Sequence, residues 1–353
     1  MNTYRVATIA GDGIGQEVTP AALAVVEAVA RTHGFAIETT AYPWGCEYYL
    51  AEGRMMPADA LDRLRRADAI YLGAIGAPSV PDHVSVWELI LPIRQRFEQF
   101  VNLRPMRLLA GVPGPLRDRG PADIDWVCVR ENSEGEYAGL GGRLHRGTPH
   151  EVAEQTGLFT RRGIERVVRY ACELAMRRPR KLLASATKSN ALQHSMVLWD
   201  EVVDAVAADF PALSVRKYHV DALAARMVTH PQTLDVMVAS NLFGDILTDL
   251  GAAVTGSLGV APGANLNPSR EHPSMFEPIH GSAPDIAGRG IANPIGAIWA
   301  AALMLEHLGE VDAAARMSAA LERVLAEGRV RTPDLGGTAT TADMTHAVVD
   351  ALA

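Results

Sequence analysis

The chain has 353 residues, of which 48% are hydrophobic, and its formal net charge at pH 7 is −8. This length and apolar content can bury one large core or two moderate ones, and at about 150 residues per domain they predict roughly two domains. Lysine and arginine are dispersed along the chain and form no basic stripe, which excludes nucleic acid from the expected partners.

Amphipathic stretches alternate with short runs rich in Val, Ile and Leu, which is the pattern of an α/β protein. The pattern predicts strands over 4–10, 35–42, 69–74, 101–109, 125–130, 181–186, 214–220 and 235–239. It predicts helices over 17–33, 57–66, 84–97, 163–176, 192–210, 222–228 and 244–255, and further helices from 294 to the carboxyl terminus. Pro92 should kink the helix over 84–97 or mark a boundary in it, because proline has no backbone N–H to donate.

Two segments lack a regular hydrophobic period. The Gly-rich residues 138–157 predict an irregular arm or a hairpin, and residues 256–274, rich in Gly, Pro and Asn, predict a loop. No linker divides the chain cleanly, so two domains would have to be interleaved.

The cysteines and the apolar segments indicate the compartment. Cys46, Cys128 and Cys172 are far apart and form no CxxC pair, which predicts neither a zinc knuckle nor a disulfide framework and fits a reducing compartment. The amino terminus has no basic region followed by an apolar one, so no signal peptide is expected. The apolar stretch Ile295–Leu308 is too short to span a bilayer and predicts a buried helix. We therefore expect a cytoplasmic protein with no membrane partner.

The glycine motif GDGIGQE at 11–17 lies between a predicted strand and a predicted helix, where a dinucleotide-binding fingerprint would lie. The fingerprint G-x-G-x-x-G requires its last glycine at position 16, which is Gln16. The acidic residue expected about 20 positions later would be Glu38, which falls in the middle of a strand. We therefore interpret the motif as a structural tight turn near the edge of a cofactor site.

Two aspartates, Asp245 and Asp249, lie four residues apart in SNLFGDILTDLG and so on one face of a helix. At ~4 Å two carboxylates repel by about 4 kcal/mol for an effective dielectric constant near 20, unless water solvates them on a surface helix. The apolar residues around them predict a mostly buried helix, whose carboxylates would need a cation. Oxygen ligands suit Mg2+ or Mn2+, and Asp221 at a strand end is a third candidate ligand.

Three arginines also require partners. Arg94 lies in a helix, Arg104 follows VNL, and Arg130 follows the apolar strand DWVCV. Guanidinium groups at such positions suit the bidentate binding of a dicarboxylate, although each could pair with a structural Glu or Asp instead. Tyr137 and Lys188 are the other chemically useful side chains nearby, and either could be structural.

Together these motifs resemble the isocitrate/isopropylmalate dehydrogenase family of β-decarboxylating dehydrogenases. The matching stretches are GDGIGQEV, VNLRP, VRENSEGEY, SATKSN, SNLFGDILTDLG, EPIHGSAPDIAGRGIANP and RTPDLGGTATT, which follow the family order from residue 11 to residue 341. CEYYLAEGRMMP, PDHVSVW and FTRRGIERVVRYACELA resemble the D-malate and tartrate dehydrogenase branch.

The resemblance implies an α/β, isopropylmalate dehydrogenase-like fold with two interleaved domains around a central mixed sheet, rather than a standard Rossmann fold. An outer, cofactor-binding domain would comprise 1–103 and 256–353, and an inner domain 104–255 would include the arm 138–157, which pairs between subunits of a homodimer.

The resemblance also implies roles in catalysis. Asp221, Asp245 and Asp249 would hold Mg2+ or Mn2+, with Asp221 from the other subunit. Lys188, also from that subunit, would take the hydroxyl proton, and Tyr137 would supply a proton to the carbon that loses CO2.

The remaining implied roles concern binding. Arg94, Arg104 and Arg130 would bind the substrate carboxylates. The residues implied in binding NAD are Asn190, Glu277, His280, Gly281, Ser282, Ala283, Asp285 and Asn293. NAD is favoured over NADP because Asp285 suits the ribose hydroxyls and would repel a 2′-phosphate. In relatives that use NADP, the loop resembles this one but has Lys-Tyr in place of Asp285 and Ile286.

The segment VWELILPIR at 86–94 bears on the substrate. Isocitrate enzymes resemble a version of this segment that carries a serine, which is absent here. Ile90 and Leu91 could accommodate an aliphatic branch of the substrate. Trp87 resembles the residue of the D-malate/tartrate branch. Glu88 departs from that branch and could repel a carboxylate, contact the nicotinamide ribose or face water. We expect oxidative decarboxylation of D-malate, with tartrate as a side substrate. The alternatives are 3-isopropylmalate or another 3-alkylmalate, another malate-like acid, or a catalytically silent regulatory subunit.

Overall fold

The computed structural model describes residues 2–353 and has a mixed α/β fold. Its strands are β1 (Asn2–Gly11), β2 (Phe35–Ala41), β3 (Ala69–Ala74), β4 (Val101–Arg107), β5 (Asp125–Glu131), β6 (Gly135–Leu144), β7 (Val152–Leu158), β8 (Leu182–Thr187), β9 (Ser214–His219), β10 (Val236–Ala239), β11 (Pro262–Leu266) and β12 (Ser274–Pro278). Its α-helices are α1 (Gly15–His33), α2 (Cys46–Glu52), α3 (Ala60–Leu64), α4 (Asp82–Ser85), α5 (Leu91–Arg96), α6 (Arg161–Arg177), α7 (Ser195–Ala207), α8 (Val220–Thr229), α9 (Asn241–Val254), α10 (Ile295–Leu308), α11 (Val311–Glu327) and α12 (Thr341–Asp350).

One ten-stranded sheet runs through the molecule in the order β2-β1-β3-β12-β11-β4-β5-β10-β8-β9. The strands on each flank are parallel, whereas β12, β11, β4 and β5 at the centre pair antiparallel with their neighbours in that group. The predicted α/β class with a central mixed sheet is thereby confirmed. The division into domains 1–103 with 256–353 and 104–255 stays a prediction.

The apolar segment at 295–308 forms α10, which is buried along nearly its whole length and packs against α1, α11 and β12. The predicted buried helix is therefore confirmed. No helix within residues 2–353 is long and apolar enough to cross a membrane. The three cysteines are buried and unpaired.

The predicted helix over 84–97 is divided into three pieces. Between α4 and α5, residues Val86–Ile90 form a π-helical segment in which the N–H of Leu91 donates to the carbonyl of Val86. Pro92 follows at once, and its missing N–H removes the backbone bond that would continue a regular helix. The expected boundary at Pro92 is confirmed.

The predicted loop over 256–274 was wrong. It contains a 3-10 turn at Leu258–Val260 and the fully buried strand β11, and it leads into β12, which was not predicted. Gly, Pro and Asn suppressed the strand signal, but Pro262 takes the first position of β11, where proline is tolerated. The side chain of Asn265 is satisfied across the sheet by Asn102, whose amide donates to Oδ1 at 2.7 Å.

Residues 138–157 belong to the hairpin of β6 and β7, which forms its own two-stranded sheet. This confirms the predicted arm or hairpin. Its side chains are largely exposed, including the apolar Leu140, Leu144 and Val152 at 46%, 66% and 55% exposure. Pairing of this arm between subunits stays a prediction.

Candidate active site

The central antiparallel strands place the candidate polar residues on one face of the sheet. Asn102 of β4 pairs directly with Arg130 of β5 and with Asn265 of β11. Because alternate residues of a strand return to the same face, Arg104 and Glu277 lie on that face as well. The helix α9 packs across it against β4 and β5. The register therefore brings together residues that are far apart in the sequence.

Arg130 is 1% exposed and has an acceptor for each part of its guanidinium group. Its Nη1 donates to Oδ1 of Asp245 at 2.6 Å, and its Nε and Nη2 donate to Oδ1 of Asn241 at 3.1 and 2.7 Å. Gly244 permits this packing, since a Cβ there would lie 2.5 Å from Cγ of Arg130. Burial, and then the charge of Arg104, lower the pKa of Arg130 to about 10, which still leaves it charged at neutral pH.

Arg104 is similarly buried and faces both candidate metal ligands. Its Nε donates to Oδ1 of Asn102 at 2.6 Å, and its Nη1 donates to Oγ1 of Thr248 at 2.7 Å. The same Nη1 lies 3.6 Å from Asp245 and 3.7 Å from Asp249. Arg104 therefore links the arginines to the acidic helix.

Arg94 forms a buried ion pair with Glu277, with Nη2 and Oε1 2.8 Å apart. Glu277 also accepts a hydrogen bond from the side chain of Asn265 at 2.7 Å. The Nε of Arg94 is buried and has no partner within residues 2–353. One donor of this arginine therefore lacks a protein acceptor, while Glu277, expected to contact the cofactor, binds its Nη2.

The two aspartates of α9 differ in environment. Burial favours a higher pKa for Asp245, but Arg130 and Arg104 outweigh it and hold the pKa below its ordinary value. Burial raises the pKa of Asp249 against the opposing charge of Arg104, and Asp245 adds to the rise. Asp249 is two-thirds exposed, and among residues 2–353 its carboxylate has no hydrogen-bond donor. The helix is therefore buried on one side only, with Asp249 at the solvent edge and available to a cation.

Tyr137 lies at the start of the arm and donates its hydroxyl proton to Oδ2 of Asp245 at 3.0 Å. The guanidinium carbon of Arg130 lies 5.6 Å from its ring centroid. Burial and the charge of Asp245 raise the pKa of Tyr137, so its hydroxyl is protonated at neutral pH. The structure thus joins Tyr137 to the arginine and aspartate cluster, as a proton donor would require.

Lys188 and Asp221 form a separate pair, with Nζ and Oδ1 2.8 Å apart and the Asp221 side chain 68% exposed. Within residues 2–353, no three His, Cys, Asp or Glu side chains are grouped closely enough to hold a metal ion. Asp221 therefore does not join Asp245 and Asp249 inside one chain. Its contribution from a second subunit, like that of Lys188, stays a prediction.

The expected cofactor loop continues from β12. His280 has a pKa lowered by burial, its Nε2 is buried without a partner among the described residues, and its Nδ1 lies 2.9 Å from the carbonyl of Gly281. Gly281 adjoins open space. The carbonyl of Ser282 accepts the N–H of Ile14 at 2.9 Å, and Ala283 has a φ of 41°, in the left-handed region. The loop therefore combines an uncommon backbone conformation at Ala283 with a buried nitrogen, the Nε2 of His280, that has no acceptor or donor among the described residues.

The remaining cofactor candidates are spread around this loop. Asp285 and Asn190 are exposed, whereas Asn293 is buried and donates to Oδ2 of Asp334 at 2.9 Å. The structure brings Asn293 to the RTPDLGG segment, and Asn190 lies beside Lys188 in the chain. The roles of all three in binding NAD stay predictions.

A cleft of about 170 Å3 lies between the arginines Arg94 and Arg104 and the start of the cofactor loop. It is lined by Gly73–Ile75, Ile90, Arg94, Arg104, Glu277 and His280, among others. Of the segment that bears on the substrate, Ile90 lines this cleft and Leu91 is buried, whereas Trp87 and Glu88 are exposed. Trp87 instead covers Gly139 of the arm, where a Cβ would lie 3.0 Å from its ring.

Four side chains that support the site were missed from the sequence: Asn102, Asn241, Thr248 and Asn265. Asn241 lies four residues before Asp245 in SNLFGDILTDLG, and Asn102 lies two residues before Arg104 in VNLRP. Polar residues inside otherwise apolar runs were the available signal. Which charge each would contact depends on the strand register and could not be read from spacing.

Comparison with known proteins gives a consistent picture. The model of the family described as isocitrate/isopropylmalate dehydrogenase matches residues 5–348. A probable tartrate dehydrogenase/decarboxylase of Agrobacterium vitis is 56% identical over 354 residues, covering 100% of this chain and 99% of that protein. The D-malate dehydrogenase (decarboxylating) of Escherichia coli strain K12 is 54% identical over 355 residues, covering 99% and 98%. The crystal structure of isocitrate dehydrogenase from Methylococcus capsulatus has a TM-score of 0.90 at 36% identity, covering 99% of each chain.

Asn241→Ala should destabilise the protein, because the buried Nη2 of Arg130 would lose its acceptor, whereas Nε would keep the backbone carbonyl of residue 241 at 2.9 Å. The expected loss in the free energy of unfolding is about 1–3 kcal/mol, measured by urea denaturation. Asn190→Ala, at an exposed asparagine, is the control for stability and should change it by under about 0.5 kcal/mol. Equal stability of the two variants would mean that Arg130 does not depend on Asn241.

Proposed function

Because the chain belongs to the isocitrate/isopropylmalate dehydrogenase family, we propose that it converts D-malate to pyruvate and CO2, with NAD and with Mg2+ or Mn2+. Tartrate is the proposed side substrate. The chain is an enzyme, and relatives at 51–56% identity are named for the dehydrogenation and decarboxylation of tartrate or D-malate. The observation that carries the proposal is the cluster of three buried arginines against Asp245 and Tyr137.

The arginines suit a small dicarboxylate. They present guanidinium groups of fixed, planar geometry, and bidentate pairing with carboxylates is favoured when water is excluded. Arg94 and Arg104 both line the cleft, and the Nη1 of Arg104 contacts its aspartates only at 3.6 Å or more. These groups would bind and orient the two carboxylates.

The acidic residues fit a divalent cation of the oxygen-preferring kind. Asp249 lacks a donor, and Asp245 is shared between arginines and Tyr137, so both carboxylates keep acceptor capacity. Asp245 and Asp249 would hold the ion, with Asp221 of a second copy of the chain completing the ligands. Once bound, the ion would polarise the substrate hydroxyl and an adjacent carboxylate.

Two residues would transfer protons in the proposed reaction, one as a base and the other as an acid. Lys188, released from its pair with Asp221, would take the proton of the substrate hydroxyl as hydride leaves C2 for NAD. Tyr137, kept protonated by burial and Asp245, would then deliver a proton to C3, the carbon from which CO2 departs. The hydroxyl of Tyr137 already lies within the arginine and aspartate cluster.

A shared active site in a homodimer is part of the proposal. The two residues expected from the neighbouring subunit, Lys188 and Asp221, are also the two that pair with each other away from the arginines. Ile246, on the same helix as the metal ligands, is 58% exposed. A second copy of the chain would cover this side chain in the proposed dimer.

A 3-alkylmalate is the second candidate substrate. Ile90 lines the cleft next to Arg94 and could pack against an aliphatic branch. Leu91, which would have widened this apolar surface, is only 1% exposed. D-malate stays the first candidate because relatives at 51–56% identity are named for D-malate or tartrate.

Substrate assays test the proposed function directly. NADH formation by the purified chain with Mn2+ should be fastest, in kcat/KM, with D-malate, and slower with L- or meso-tartrate, 3-isopropylmalate and isocitrate. A higher kcat/KM for 3-isopropylmalate would move the assignment to the second candidate. No turnover with any of these acids would favour the silent regulatory subunit.

Asp245→Asn should abolish turnover that depends on Mg2+ or Mn2+, and it should also lower the free energy of unfolding because the buried Arg130 loses its charged partner. We expect kcat/KM to fall by about a thousandfold, because an ion that polarises the substrate contributes several kcal/mol. Circular dichroism checks the fold, and Asp209→Asn, at an exposed surface aspartate, is the control. Undiminished activity of Asp245→Asn would remove the metal role.

Lys188→Met and Tyr137→Phe should affect different steps. Loss of the base should slow NADH formation by about a hundredfold or more, whereas loss of the proton donor should release part of the product as undecarboxylated keto acid. Lys217→Met is the matched control, because Lys217 pairs with Asp204 at the same 2.8 Å. An unchanged ratio of NADH to CO2 in Tyr137→Phe would contradict its role.

Asp285→Lys should shift the preference from NAD toward NADP. The exposed carboxylate would no longer accept from the ribose, and the ammonium group would attract a 2′-phosphate. The ratio of kcat/KM for NAD to that for NADP should fall by about tenfold or more. Asp62→Lys, at another exposed aspartate, should leave the ratio unchanged. A constant ratio in Asp285→Lys would mean that the ribose is recognised elsewhere.

A further inference from the structure

The turn GDGIG at 11–15, which lacks the glycine spacing of a dinucleotide fingerprint, connects β1 to α1 and touches both sides of the cofactor cleft. One side is the segment Gly73–Gly76 at the end of β3, and the other is the segment Glu277–Gly288, which begins in β12 and continues into the loop after it. Ala74 and His280, one from each side, line the cleft. The turn is therefore positioned to control the distance between them.

Asp12 makes the contacts to the first side. It is 5% exposed, its N–H donates to the carbonyl of Ala74 at 2.7 Å, and its Oδ2 accepts the N–H of Gly76 at 2.9 Å. Its Oδ1 accepts the N–H of Cys46, at the start of α2, at 2.8 Å. Both carboxylate oxygens are thus bound to backbone amides from different segments.

The residues after Asp12 make the contacts to the second side. The N–H of Ile14 donates to the carbonyl of Ser282 at 2.9 Å, and the N–H of Gly288 donates to Oε1 of Glu17 at 2.6 Å. Gly13 touches Ser282 so closely that a Cβ would lie 2.0 Å from its carbonyl oxygen, and its φ of 53° also disfavours a side chain. The turn therefore packs closely against this loop, and little space is left for either to move relative to the other.

We propose that Asp12 is a positioning residue for NAD, fixing the segment Gly73–Gly76 relative to the loop that begins at Glu277. This inference rests on the proposed use of NAD. Only a group with two acceptor oxygens satisfies the amides of Cys46 and Gly76 at once. The turn contacts none of the three arginines through hydrogen bonds or ion pairs within residues 2–353, so its influence should fall on NAD rather than on the dicarboxylate.

Asp12→Asn tests this role, because the substituted amide places an NH2 group against one of the two backbone donors. Asp68→Asn is the matched control. Asp68 accepts a backbone N–H from Arg5 at 2.7 Å, but lies just before β3, at the opposite end of the strand from Gly76. Gly13→Ala is a second variant, which separates the turn from Ser282 and leaves Asp12 intact.

Three measurements separate positioning from simple destabilisation: Tm, the Kd of NADH by fluorescence titration, and amide hydrogen exchange of residues 73–77 and 280–288 without cofactor. Asp12→Asn and Gly13→Ala should raise the Kd of NADH by about tenfold or more. Misplacement of a binding group by about 1 Å can lower an enzyme's rate by about a hundredfold, and we expect the displaced segments to weaken binding in the same way. Exchange in both segments should accelerate, while the KM for D-malate changes less than about threefold. Asp68→Asn should lower Tm alone.

The outcomes are distinct. If Asp12→Asn and Asp68→Asn lower Tm alike and bind NADH as the unsubstituted protein does, Asp12 is only structural and the inference is overturned. The same holds if Asp12→Asn fails to fold and Gly13→Ala binds NADH normally. If the unsubstituted protein itself does not bind NADH, the proposed use of NAD fails first.

Discussion

The neutralisation of three buried guanidinium groups is the constraint on which the site depends. Charged groups are removed from water at high cost unless opposite charges and hydrogen-bond acceptors meet them. Arg130 is matched by Asp245 and Asn241, and Arg94 is matched by Glu277. The proposed dicarboxylate and divalent cation carry equal and opposite charges, so their binding together would leave the net charge of the site unchanged.

The reversal of strand direction at the centre of the sheet makes this cluster possible. Parallel flanks carry the chain outward through helical connections, but β4 runs antiparallel to both of its neighbours, β5 and β11, and the three strands place polar side chains on a shared face. A shift of register by one residue would turn those side chains to the other face. Asn102 and Asn265 hydrogen-bond to each other across the strands, and to Arg104 and Glu277 respectively, which stabilises the observed register.

The candidate catalytic residues fall into two groups within one chain. The arginines, two aspartates and Tyr137 form one cluster, while Lys188 and Asp221 lie in another that is open to solvent. In the proposed site, Lys188 and Asp221 would therefore have to come from a second copy of the chain.

The sequence alone determined the elements with strong hydrophobic periods, the family motifs and the identity of most candidate site residues. The buried helix α10 and the strand β3 were predicted with the observed bounds, because apolar content and flanking breakers define such segments locally. Only the tertiary structure decided that β11 is a strand, that Glu277 pairs with Arg94, and that Asn241 supports Arg130. These features depend on register and on contacts between distant segments, for which residue spacing carries no information.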